Sequence, residues 1–157
     1  MSHVATISLE IRDLDALAAA CGLLGLELVR GQKVYNWYGR SVGDSKLPDG
    51  FTVEELGKCE HAIRIKGTSL NGQINKNMPY EIGLANRRDG KSGYVLMWDT
   101  YQGGHGLVAK VGGEQCDKLR QNYAVEVAVR IAKRTGHRVI KRTIRSDGSV
   151  QIVTQKG

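Results

Sequence analysis

Cysteine is scarce in this chain and poorly placed for cross-linking: its 157 residues hold three, Cys21, Cys59 and Cys116, an odd and scattered set. That excludes a disulfide framework and fits reduced, buried thiols, so the expected compartment is the cytoplasm. Metal-binding spacings are missing too. No Cys-x-x-Cys, His-x-x-x-His or His-Glu-x-x-His occurs, which leaves Cys59, His61, Asp99 and His105 as a zinc set only if the fold brings them together. A long apolar run is also absent. The most apolar stretch, Ala16 to Val29, follows Glu10, Asp13 and Asp15 and is broken by Gly22, Gly25 and Glu27, so neither a signal peptide nor a transmembrane helix is expected and no membrane partner is implied. The twenty glycines form no low-complexity tract; they mark a chain with many turns.

In the last third, what is lacking is negative charge. Residues 1–108 carry twelve basic and twelve acidic side chains, whereas residues 109–157 carry eleven basic and four acidic ones, so the whole net charge of +7 sits in the C-terminal part. The basic unit comprises Lys110, Lys118, Arg120, Arg130, Lys133, Arg134, Arg138, Lys141, Arg142 and Arg145. Of these, Arg120, Arg130, Lys133, Arg134, Arg138, Lys141 and Arg145 are the candidate anion-binding residues, suited to the phosphates of a nucleic acid or nucleotide. Arg120 falls inside an apolar stripe at helical spacing, so it either snorkels or points into a site.

Periodicity supports one α+β domain over residues 1–157. A β-branched run from Val4 ends at Arg12-Asp13, and a helix capped by Asp13 or Asp15 buries Leu14, Leu17, Ala18, Cys21 and Leu24 before Gly25. Strands follow at Leu26–Val29, Lys33–Tyr38 and Ala62–Lys66, with an inserted loop at 39–60. Tyr80–Asn86 and Tyr94–Thr100 form a hairpin. The longest helix runs from about Gly113 to Thr135, with Cys116, Leu119, Tyr123, Val127, Ala128 and Ile131 on its apolar stripe. A last hairpin, His137–Arg145 and Ser149–Gln155, turns at Ser146-Asp147-Gly148, and a three-residue loop pairing Arg145 with Ser149 gathers Ile140, Ile144, Val150 and Ile152 on one face. The expected architecture is a single antiparallel sheet of about six or seven strands with two helices packed on one face.

Chemistry-bearing motifs are weak. Asp89-Gly90-Lys91-Ser92 resembles the end of a phosphate-binding loop, but Ala85 stands where that loop needs glycine and the segment joins two strands, so it reads as a hairpin turn. No nucleophile elbow occurs, no cofactor is indicated and no catalytic residue is assigned. A small enzyme would have to draw on His61, His105, Glu81 or Asp99. Tyr35, Trp37, Tyr38 and Arg40 form a candidate aromatic contact surface, since flat rings and guanidinium planes stack on bases. Alternation in a half-buried strand would instead put Tyr35 and Trp37 in the core. The reading reached is non-enzymatic binding of nucleic acid or nucleotide; the alternative is an adaptor docking on an acidic protein such as an ATPase or polymerase, through Trp37 and Tyr38.

Met1-Ser2-His3 followed by Thr6, Leu24-Gly25, Tyr80-Glu81-Ile82-Gly83, Trp98-Asp99, Leu119-x-Gln121-x-Tyr123-Ala124 and Asp147-Gly148-Ser149 together resemble the uncharacterised family of the hypothetical chloroplast reading frame 35. The resemblance implies the fold and a bacterial or bacteriophage origin, with residues 39–60 and the Gly103-Gly104-His105-Gly106 loop similar to the longer members. It implies no activity, cofactor or catalytic residue.

Overall fold

The computed structural model describes residues 4–37, 47–48, 50–67, 79–144, 146 and 150–156. Strand β1 (Val4–Ile11) leads into helix α1 (Leu14–Gly22), whose first turn is held by the Asp13 carboxylate accepting from the Ala16 amide at 3.0 Å. Of the two aspartates the sequence offers as caps, Asp13 serves. Strands β2 (Leu26–Arg30), β3 (His61–Ile65), β4 (Ile82–Asn86) and β5 (Tyr94–Asp99) complete a sheet of order β1-β5-β4-β3-β2, antiparallel at every junction. Because β1 and β2 are the two edges, α1 must cross the whole sheet between them. Helix α2 (Leu107–Val111) and helix α3 (Asp117–Arg134) follow, and β6 (His137–Ile144) pairs with β7 (Val150–Lys156).

The strands are thus divided between a five-stranded sheet and a separate two-stranded one, which corrects the expected single sheet of six or seven. The cause is the length of α3. Its eighteen residues rise about 27 Å, long enough to offer the hairpin a packing surface, and β6 and β7 pack on α3 instead of joining an edge. Its register matches the expected one, with Ile144 opposite Val150 and Thr143 opposite Gln151. An irregularity between Val139 and Lys141 removes Ile140 from the apolar face, leaving it 54% exposed. Arg145 lies outside the described residues.

Both faces of the three central strands are buried, because alternate side chains on β3, β4 and β5 serve different cores. Ile63, Ile82, Leu84, Leu96 and Trp98 pack with α1, α2 and α3, while Ala62, Ala85 and Met97 pack with Tyr35, Trp37, Phe51, Leu56 and Cys59. The expected strand at Lys33–Tyr38 is instead a single bridge, Val34 to Lys58, extended by the Tyr35 amide on the Gly57 carbonyl and the Cys59 amide on the Lys33 carbonyl. What the sequence marks as an inserted loop therefore contributes, in its described residues, a lid with its own core. No described helix is long and apolar enough to cross a membrane.

Two contacts seat the lid. Gly83 in β4 faces the Tyr35 ring so closely that a Cβ there would lie 2.4 Å from Cδ1. Glu81, 1% exposed, accepts from the Asn36 amide at 2.8 Å and from the Gln32 side-chain amide at 2.9 Å. Burial pushes the Glu81 carboxyl up from its ordinary value, outweighing both hydrogen bonds.

Replacing Gly83→Ala is expected to cost about 2 kcal/mol by overpacking against Tyr35, read as a lower urea midpoint; an unchanged midpoint would refute the close approach. For Glu81 the sign follows from its raised pKa. Both states are protonated in strong acid, and as pH climbs past the ordinary 4.5 the unfolded chain ionises first, so the folded state loses stability until its own pKa is passed. Glu81→Gln keeps the acceptor and cannot ionise. The variant should therefore gain on the native protein between pH 4 and pH 7 in urea melts, and a constant difference would show that burial does not hold the carboxyl up.

Candidate functional site

The arginines of α3 do not act with the hairpin alone. Arg130 and Arg134, in the last turns of the helix, line a cleft of about 790 Å³ with Arg12 and Arg30, which come from the β1–α1 junction and the end of β2. Its floor is the phenol of Tyr123, and Leu14, Val127 and Ile131 supply apolar wall. At 100° per residue, Arg120, Ala124, Val127, Ile131 and Arg134 fall in one row along α3. Ile131, expected in the core, is 53% exposed on that row, and Arg120 at its far end is solvent-exposed, the snorkelling alternative. Leu119, Tyr123 and Val129 are the residues of the helix that are buried.

Tyr123 builds the cleft. Its hydroxyl accepts from the backbone amides of Arg12 at 3.0 Å and Asp13 at 3.3 Å, tying the middle of α3 to the β1–α1 junction. Amides at a helix start have no partner within the helix, so this oxygen satisfies groups that would otherwise face the cleft or the core unpaired. The two carboxylates at the site are already engaged. Asp15 pairs with Arg30, whose guanidinium holds the carboxyl below the usual range, with Arg130 adding to the effect. Asp13 caps α1 and lies 3.9 Å from Arg134. Against these two negative charges stand four guanidiniums, and the Nε of Arg130 is buried without a hydrogen-bond partner.

The other sequence-predicted cations scatter. Lys133 lies about 100° round the helix from Arg134, Arg142 turns back to Glu126 at 3.5 Å, and Arg138 donates to the Gln155 side chain at 3.0 Å. Lys133, Arg138 and Lys141 are exposed, and among the described residues none of these three, nor Arg120 or Arg130, pairs with a carboxylate. The expectation of one outward face over helix and hairpin is corrected accordingly: the cationic groups converge where α3 meets α1.

The aromatic contact surface is also corrected. Tyr35 and Trp37 are buried in the lid core, with no open ring face for a base, while Tyr38 and Arg40 lie outside the described residues. Groups suggested for catalysis stand apart, each in a local structural bond. The His61 ring accepts from the Gly31 amide at 3.0 Å and meets the Tyr94 hydroxyl at 3.3 Å; burial, chiefly, lowers its pKa. His105 packs edge-on to Tyr80, and Asp99 accepts from the Tyr101 amide. Burial raises the thiols of Cys21, Cys59 and Cys116 to about 12, so they are poor nucleophiles. Among the described residues, no three His, Cys, Asp or Glu side chains are grouped to hold a metal ion.

Sequence reasoning missed Arg12 and Arg30 because they sit in the electrically neutral part of the chain. A family model described as a protein of unknown function (DUF1257) matches residues 50–153. No curated protein and no solved structure matches.

Removing the Tyr123 hydroxyl leaves two backbone amides without their acceptor. Tyr123→Phe should therefore lower stability by about 1–3 kcal/mol in urea denaturation, and the Arg12 and Asp13 amides should exchange faster with deuterium. Native exchange at those two positions would contradict the geometry.

Proposed function

We propose that this chain, which belongs to the DUF1257 family of proteins of unknown function, is a non-enzymatic binding protein for nucleic acid, held by its phosphates. The observation that carries the reading is the convergence of Arg12, Arg30, Arg130 and Arg134 on one cleft whose described lining includes two carboxylates, Asp13 and Asp15. Guanidinium forks donate paired hydrogen bonds to phosphate oxygens, and four of them border this cleft. Exposed Lys133, Arg138 and Lys141, outside the cleft lining, add long-range attraction. Specificity for base sequence is not part of the reading, because phosphate contacts position a strand without reading it. The three free, buried thiols support a reducing, cytoplasmic setting. The quoted resemblance to the chloroplast reading frame 35 family supports a bacterial or bacteriophage-type member, acting in the latter case in the host cytoplasm.

Fluorescence anisotropy with labelled oligonucleotides tests this. Affinity should fall as salt rises, with a log–log slope of about −2 to −3 if three or four phosphates are neutralised on a single strand. Combined Lys133→Glu, Arg134→Glu and Lys141→Glu should abolish the salt-sensitive binding. If the native protein binds neither single- nor double-stranded nucleic acid at low salt, the reading fails, and stoichiometric capture of an acidic protein would then favour the adaptor.

A further inference from the structure

Arg12 borders two clefts, not one. Besides the α1–α3 cleft it lines a concavity of about 490 Å³ whose other walls come from the β4–β5 turn, including Arg87, Lys91 and Tyr94. The junction depends on Gly93. Its φ is +104°, and a Cβ there would come to 2.9 Å from the Ile11 carbonyl oxygen and 3.2 Å from Arg12 Cγ, so only glycine lets this turn close on the end of β1 beneath the Arg12 stem. The turn's own carboxylate is committed: Asp89 pairs with Arg87 and accepts from the Lys91 amide at 3.1 Å, which draws its pKa down to about 2. The Lys91 side chain is exposed and has no carboxylate partner among the described residues.

We infer that the two clefts form one cationic track that holds an extended single strand, its phosphates stepping from Arg30, Arg130 and Arg134 past Arg12 to Lys91. The inference rests on the nucleic-acid reading above and narrows it. A mononucleotide fills one cleft and gains nothing from the second. A duplex keeps its bases stacked inside and meets a protein with a convex phosphate surface, whereas a single strand bends into a groove and lays its bases on apolar wall, here Leu14, Val127 and Ile131. Lys91, which the sequence presents as part of a false phosphate-binding loop, thereby acquires a phosphate by position instead of by motif.

The test compares oligothymidylates of about four and about twelve nucleotides, and a duplex of the longer length, on the native protein, Lys91→Glu and Arg134→Glu. The native protein should prefer the longer strand to both other probes. Lys91→Glu should weaken the longer strand about fivefold, reduce its salt slope by about 0.7, and shrink the preference for length, with an unchanged thermal melt showing that the fold is intact. Arg134→Glu should weaken both strands. If Lys91→Glu leaves the length preference and slope unaltered while Arg134→Glu weakens binding, or if the duplex binds more tightly, the track is overturned and the nucleic-acid reading stands; failure of the native protein to bind any probe overturns both.

Discussion

The hydroxyl of Tyr123, buried between α3 and the β1–α1 junction, accepts amide protons from residues more than a hundred positions earlier in the chain. This contact fixes where the long helix lies on the first one, and therefore where Arg130 and Arg134 stand relative to Arg12 and Arg30. Four guanidiniums repel one another, so a cleft holding them needs an independent reason to exist. Burial of Leu119 and Tyr123 against α1 and the sheet supplies it. The carboxylates of Asp13 and Asp15 make the arrangement tolerable without neutralising it.

A second constraint governs the rest of the fold. The central strands β3, β4 and β5 bury both faces, one under the helices and one under the lid, and the lid approaches β4 only where Gly83 leaves room for the Tyr35 ring. Polar groups on that side are handled locally, Glu81 holding the backbone and side chain of the lid at Asn36 and Gln32. Such a site is built for order, with burial raising the pKa of both the Cys59 thiol and the Glu81 carboxyl. The clustered guanidiniums lie instead at the helix cleft.

Much of this was readable from residues in isolation. The cap of α1 at one of its two candidate aspartates, the existence of β4 and β5, the C-terminal end of α3 and the register of the last hairpin are local properties, set by capping, periodicity and turn length, whereas α3 begins at Asp117, four residues after the expected start, because Cys116 is left-handed. Other features were hidden because they are relations between distant segments. A stripe drawn on α3 assigns Ile131 to the core, yet the partner surface ends before it, leaving the side chain on the wall of the cleft. The left-handed stretch Gln102–His105 is signalled by Gly103 and Gly104, but nothing in Gln102 or His105 announces φ values of 52° and 55°. Charge misled in the same way. Counting along the chain put every excess cation in the last third, while in space Arg12 and Arg30 from its neutral part complete the cationic site.

The most direct measurement is nuclear magnetic resonance of the arginine side chains during titration with a single-stranded oligonucleotide. The Arg130 guanidinium signals should shift on the first additions, accompanied by those of Arg134 and Arg12, and the shifts should be reversed by added salt. Shifts confined to other surfaces, with the Arg130 signal unmoved at saturation, would contradict the account.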